Sequence, residues 1–193
     1  MSNDFNVCPK CQSKNIQNKN QRKWFCPDCG FDLYNNVAAA VGLIIQDIDG
    51  SIIFEVRAKE PRKGFLALPG GFCDPDESAE QTAFRECQEE TGIKPDSLNY
   101  ITSFPNTYIY KDITYKTCDL FFQASFNSTD KSIIEQMAGE ESEVTAFKSI
   151  RINSESDIDS LPIAFESSVR ALKVWFCQKN KFRNEKLDGA DYE

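Results

Sequence analysis

Histidine is absent from this chain of 193 residues. That absence excludes Ser-His-Asp and Cys-His nucleophilic catalysis, imidazole-ligated metals and a histidine general base. Long apolar runs are missing too, and no segment approaches the roughly 20 residues that a membrane helix needs. The N-terminal stretch MSNDFNVCPK has no basic region leading into an apolar one, so no export signal is visible and a cytoplasmic protein is expected. Positive charge is in deficit: 22 Lys/Arg stand against 30 Asp/Glu, a net of −8, which argues against a protein that coats nucleic acid. The remainder, 40% apolar and 27% charged, is an ordinary globular composition. Its length suits one domain with a small appendage.

Charge is unevenly placed. Residues 1–35 hold five Lys/Arg and three Asp/Glu, whereas residues 36–193 hold 17 and 27. Four of the eight cysteines fall in the basic segment, as Cys8-Pro-Lys-Cys11 and Cys26-Pro-Asp-Cys29 with 14 residues between the pairs. Each pair can turn two thiolates toward one ion, and the intervening hairpin brings the turns together. Tetrahedral zinc held by Cys8, Cys11, Cys26 and Cys29 is the expected outcome. Gly30 follows the second pair where a tight turn needs positive φ. The segment resembles a zinc ribbon over about residues 5–34, too short to bury a core alone, so metal binding and folding should be one event. Packing on the main domain or mediating a homodimer is one role for it. Contacting nucleic acid through Lys10, Lys14, Lys19, Arg22, Lys23 and Trp24 is the other, which a net charge of +2 supports weakly.

From Val37 the pattern changes. Val37–Ile45 is an apolar run suited to a strand covered on both faces, Asp47–Gly50 a turn, and Ser51–Arg57 the returning strand. Phe65–Leu68 is a short strand ending at Pro69-Gly70-Gly71. Further strands are expected at Ile101–Tyr110, Tyr115–Phe122, Val144–Phe147 and Ser149–Ile152. A helix from Pro162 to Lys179 carries an apolar stripe of Phe165, Val169, Leu172 and Phe176, taken as core. Residues 181–193 read as a polar, frayed tail.

The chemistry lies in the 23 residues from Gly71 to Ile93. Ser78 to Glu90 has good helix formers without internal Gly or Pro, and Gly92 suits a left-handed stop. Ala79, Ala83 and Cys87 make a small apolar face, and Glu86, Glu89 and Glu90 are expected to share the opposite one. Like charges so spaced repel unless a cation gathers among them. Hard oxygen ligands favour Mg²⁺ or Mn²⁺.

Gly71, Glu77, Arg85, Glu86, Cys87, Glu89, Glu90, Gly92 and Ile93 match every position of the Nudix box, G-x5-E-x7-R-E-U-x-E-E-x-G-U with U apolar. Residues 36–180 therefore resemble a Nudix hydrolase. The resemblance implies an α/β/α sandwich with a mixed sheet, placed behind the ribbon of residues 1–35. It also implies hydrolysis of a nucleoside diphosphate linked to another group. Glu86, Glu90 and Glu89 would hold the divalent ions, with the Gly71 carbonyl completing the shell. Arg85 would fix a carboxylate by a bidentate pair, and Glu77 would shape the loop through backbone amides. Many relatives place an extra carboxylate before the strand at Val144–Phe147. Glu141 is the first candidate for that metal ligand or base, with Glu140 and Glu143 next.

A ribbon fused ahead of such a domain resembles the NADH pyrophosphatases, so NAD(H) leads as substrate. Of the Ser-Gln-Pro-Trp segment those enzymes carry, Ser103-Phe-Pro105 keeps only a fragment. Pro105 lies 13 residues past Gly92, near the position typical of ADP-ribose hydrolases, and Tyr108 lies 16 past it, near that of dinucleoside polyphosphate hydrolases. Sugar nucleotides are further alternatives, as is an RNA-end hydrolase or a nucleotide-sensing regulator with the ribbon as recruiter. Phe65, Phe104 and Tyr108 are candidates to stack on a base, and Arg57 to meet phosphate. For each, a packed ring or an exposed cation is the plainer reading.

Overall fold

The computed structural model describes residues 5–111, 113–127, 131–139 and 142–188, with side chains described through Lys181. Three short strands, β1 (Gln17–Lys19), β2 (Lys23–Phe25) and β3 (Asp32–Tyr34), form an antiparallel sheet in that order. Strands of three residues bury little, and Trp24 is their large buried side chain, with the Phe5 ring edge-on at 5.1 Å.

A second sheet has six strands. These are β4 (Ala38–Gln46), β5 (Ile52–Arg57), β6 (Leu66–Ala67), β7 (Ser97–Tyr110), β8 (Ile113–Ser125) and β9 (Val144–Ile150). The order runs β6-β5-β4-β8-β7, with β9 along the other edge of β5. Only β4 and β8 are parallel, so the sheet is mixed. The apolar pattern of β4 follows from burial on both faces. Val41, Leu43 and Ile45 join Ala83, Cys87 and Phe122 in a core beneath α1 (Ala79–Thr91), while Ile44 joins Phe54, Phe121 and Trp175 in a second core. That second core is covered by α2 (Glu155–Ser160) and α3 (Glu166–Asp188). The expected α/β/α sandwich is present. Among the described residues no helix is long and apolar enough to cross a membrane.

The sheet splits where the site forms. β4 pairs with β5 only at Ile45 and Gln46, opposite Ile53 and Ile52. Beyond that point the chain after β5 is wedged between them: Leu66 and Ala67 pair with β5, then Pro69 to Cys73 pair with β4. Val41 N–H donates to Gly71 O at 2.8 Å, and Leu43 N–H to Pro69 O at 2.8 Å. Gly70 needs its missing side chain, because at φ 144° an added Cβ would strike the Val41 carbonyl.

Three expectations need correction. Val144–Phe147 and Ser149–Ile152 are one strand, β9, continuous along β5. Pro162 does not start α3. Leu66 N–H donates to Pro162 O and Ala164 N–H to Leu66 O, which ties residues 162–164 to β6 and delays the helix to Glu166. At its far end α3 runs through Asp188, so the backbone stays helical for eight residues past the expected boundary at 180.

Candidate active site

Helix α1 is defined by its caps. Ser78 Oγ accepts from Gln81 N–H at 3.2 Å and Ser78 N–H donates to Gln81 Oε1 at 2.8 Å, a reciprocal box that satisfies two orphan donors. Gly92 closes the helix at φ 75°. The turn ahead of it is held by Arg85 and Glu77 in a forked pair, Nε to Oε1 at 2.9 Å and Nη2 to Oε2 at 3.0 Å. Glu77 also accepts from Thr82 Oγ1 at 2.8 Å and from the Asp74 amide at 3.2 Å. Arg85 and these donors hold the Glu77 carboxyl down to about 2. The forked pair and the Asp74 amide thus supply the contacts on which the proposed positioning roles of Arg85 and Glu77 rest.

Arg85 reaches further. Nη1 donates to Glu86 at 2.8 Å and to Glu89 at 2.9 Å, and Nη2 to the Phe72 carbonyl at 3.1 Å. One guanidinium thus anchors three carboxylates and the backbone after Gly71. The glutamates do not share one solvent face as expected. Glu89 is half exposed, Glu86 is largely covered, and Glu90 is buried beside Cys87 and Thr91 on the sheet side. Glu90 Oε2 accepts from Gly70 N–H at 2.6 Å. Glu86 lies against Gly71, where an added Cβ would overlap its carboxylate. Burial raises the Glu86 carboxyl above its ordinary range, with Arg85 pulling against it. Burial raises Glu90 well above that range, and a neighbouring carboxylate adds to the effect.

That neighbour is Glu55 on β5, 3% exposed, which sequence reasoning missed. Strand alternation puts Glu55 on the same face as Ile53, toward α1. Burial pushes its carboxyl up to about 8, with Arg57 acting against the shift. Cys87, the unusual filler of an apolar slot, is buried and raised to about 11 by that burial, so it packs as a small neutral hydrophobe.

A cavity of about 420 Å³ opens above these groups. Gly71, Arg85, Glu86, Glu89 and Glu90 line one side, and Asp119, Phe165 and Ser168 the other. Of the four candidate substrate contacts, Arg57 and Tyr108 line it. Phe65 and Phe104 do not: the first stands under Arg62, the second packs on the core with the Arg170 guanidinium 3.9 Å over its ring. Phe165, read as core, faces the cavity, with Arg57 5.1 Å over its ring and Tyr108 5.8 Å away. Beyond Phe72 and Tyr108 lies an open aromatic slot of about 340 Å³, lined also by Tyr110, Tyr115 and Ala38. Buried Asp119 accepts from Thr117 Oγ1 at 2.5 Å and from Ser167 Oγ at 2.7 Å. Glu143 also lines the cavity and pairs with Lys59 at 2.7 Å. Glu140 and Glu141 lie outside the described residues.

The four ribbon cysteines come together. Cys8 and Cys29 sulfurs are 3.7 Å apart, as are those of Cys11 and Cys26, and all four lie within 4.8 Å of one another. Zinc–sulfur bonds of about 2.3 Å give a tetrahedral edge of about 3.8 Å, whereas a disulfide would bring sulfurs to about 2.05 Å. Gln12 and Gly30 follow the two pairs at φ 62° and 69°, and their amides close equivalent turns on Cys8 O and Cys26 O. Among the described residues this is the only group of three or more metal-ligand side chains gathered so tightly.

The NUDIX domain model matches residues 37–162. The NAD-capped RNA hydrolase NudC of Deinococcus radiodurans is 29% identical over 168 residues, covering 86% of this chain and 54% of that protein. The ADP-ribose pyrophosphatase of Methanocaldococcus jannaschii is 39% identical over 91 residues, 47% of this chain and 50% of that one. NudC of Vibrio atlanticus is 31% identical over 107 residues, 54% and 38% respectively. The chain thus spans about half or less of the length of these curated relatives. A MutT protein from Methanosarcina mazei superposes with a TM-score of 0.57 at 21% identity, over 77% of this chain and 99% of that one, a likeness of fold.

Proposed function

Because the chain belongs to the Nudix family through the match over residues 37–162, we propose that it hydrolyses the diphosphate bond of a nucleoside diphosphate joined to a second group. NAD(H) leads as substrate and ADP-ribose follows. The observation that carries this reading is that the cavity lined by the α1 carboxylates adjoins the aromatic slot, with Phe72 and Tyr108 lining both. A diphosphate lying along Arg57, Gly71 and Glu86 would direct its base toward those aromatics, whose faces can stack on any base.

Glu86, Glu89 and Glu90 are the residues that would hold Mg²⁺ or Mn²⁺. Three observations fit that use: all donors are hard oxygens, two of the three carboxylates are largely withdrawn from water, and the Gly71 carbonyl keeps one lone pair beyond its bond from Val41. When bound, the ion supplies charge neutralisation for the diphosphate and acidity for the attacking water. Arg85 keeps Glu86 and Glu89 oriented, and the Gly70 amide keeps Glu90 oriented. Glu89 and Glu143, which line the cavity, are the carboxylates that would take the proton of that water, and Glu141 stays a candidate from the sequence. The ribbon carries structural zinc on Cys8, Cys11, Cys26 and Cys29.

The test is a turnover screen with Mg²⁺ and Mn²⁺ across NADH, NAD-capped RNA, ADP-ribose, diadenosine polyphosphates and sugar nucleotides. Release of AMP with reduced nicotinamide mononucleotide from NADH is the expected result. Absence of hydrolysis across the panel would overturn the proposal. Preference for capped RNA that weakens steeply with salt would assign the ribbon a recruiting role.

A further inference from the structure

Glu55 occupies a place where the strand asks for an apolar side chain. Its neighbours along β5 are Ile53, Phe54 and Val56, and its cross-strand partners are Ala67 and Phe147. It is 3% exposed, and its Oε2 accepts no hydrogen bond. A buried carboxylate oxygen without a partner is costly, and proteins keep such groups where a charge or a metal compensates them. The surroundings do not neutralise it. Arg57 is the basic group acting on it, but that guanidinium is committed to the Pro61 carbonyl at 2.9 Å and to the face of Phe165. The other charged groups facing it are Glu90, Glu86 and Glu143, all acidic. Glu90 approaches from α1 and Glu143 from the start of β9, so three elements direct negative charge toward one place.

We propose that Glu55 is a positioning residue of the divalent-cation site, a buried carboxylate that acts through Glu90 and raises the affinity of that site. The inference rests on the proposed function, since it presumes a cation at the α1 glutamates. A proton shared between Glu55 and Glu90 is the competing occupant of the gap. It leaves one net negative charge on that pair, since Arg85 and Lys59 are already engaged by Glu86 and Glu143, whereas a divalent ion balances both buried carboxylates.

The experiment is Mn²⁺ titration of the zinc-loaded full chain, followed by calorimetry and by the Mn²⁺ paramagnetic resonance signal, for the unaltered protein, Glu55→Gln, Glu55→Asp and Glu55→Leu. Thermal unfolding with and without Mn²⁺ is recorded beside it. The expected result is at least a tenfold loss of Mn²⁺ affinity in Glu55→Gln, partly restored in Glu55→Asp. Without metal, Glu55→Gln should melt at or above the unaltered protein, and Mn²⁺ should raise its Tm by less. Glu55→Leu keeps the volume and the apolar pattern of this face and carries the same expectation if the Gln variant does not fold. Unchanged Mn²⁺ affinity in the variants, with binding intact in the unaltered protein, overturns the role of Glu55 and leaves the proposed function standing. Absence of Mn²⁺ uptake by the unaltered protein overturns both.

Discussion

Arg85 is the residue on which the candidate site is assembled, because one planar fork holds Glu77, Glu86 and Glu89 at 2.8–3.0 Å. A lysine offers a point charge in place of that fork. Arg85→Lys should therefore lower kcat/KM more than it lowers Tm, a split read by steady-state kinetics beside thermal melts. Glu86→Gln and Glu90→Gln should each cost on the order of 10²-fold in turnover with the fold kept, since a ligand charge is worth several kcal/mol in the transition state. Full activity in both variants would mean that the carboxylates are misread. The contact between Glu77 and Arg85 was foreseeable because both lie within one loop and helix. Glu55 was not: Ile-Ile-Phe-Glu-Val reads as a strand with a solvent-facing glutamate, and Glu90, which shows otherwise, lies 35 positions along the chain.

The elements carry the pH dependence. Glu77, held low by Arg85, contributes stability that is full above the ordinary glutamate value of 4.5 and is lost as pH falls toward 2. Glu55 and Glu90, raised by burial between β5 and α1, act with the opposite sign. Folding is favoured while they are protonated, and that contribution is lost as pH rises from about the ordinary 4.5 through the Glu55 value of about 8. Metal-free protein should therefore lose Tm between pH 5 and 8.5. The slope should be shallower in Glu55→Gln and shallower again with Mg²⁺, as followed by differential scanning fluorimetry. An equal slope in all three would contradict the buried pair. Ser78→Ala removes one half of the cap box and should cost about 1 kcal/mol of stability. The start and stop of α1 were readable because cap and stop residues are local signals. The six residues of α2 were not, because its polar run, with Ile158 as its buried residue, has too few apolar positions to show a period. The displaced start of α3 was hidden for another reason: it depends on hydrogen bonds to β6, nearly a hundred residues upstream.

Across the whole molecule, two sheets of different origin of stability share one chain. The three-stranded sheet buries Trp24 and two cysteines, so its order is expected to depend on a metal at the cysteine cluster, whereas the six-stranded sheet has cores on both faces. Cys8→Ser or Cys26→Ser should release zinc to a chelating dye and open residues 5–34 to proteolysis. NADH turnover should stay within a few fold if the ribbon is a scaffold. Loss of turnover in step with zinc would instead make the ribbon part of the active unit. Both the cysteine spacing and the carboxylate spacing announce these two units, since metal ligands must recur at distances that the local backbone sets.

The wedge that splits β4 from β5 has one more consequence. Its residues Gly70, Gly71 and Phe72 are consecutive, so the backbone that meets the glutamates and the ring that walls the aromatic slot are joined by covalent bonds, clamped by β4 on one side. In the proposed pose the chain would act as a ruler from cleaved phosphorus to stacked base. A substrate with one phosphate added or removed would then fall out of register at one end, a discrimination by length that the turnover screen reads directly.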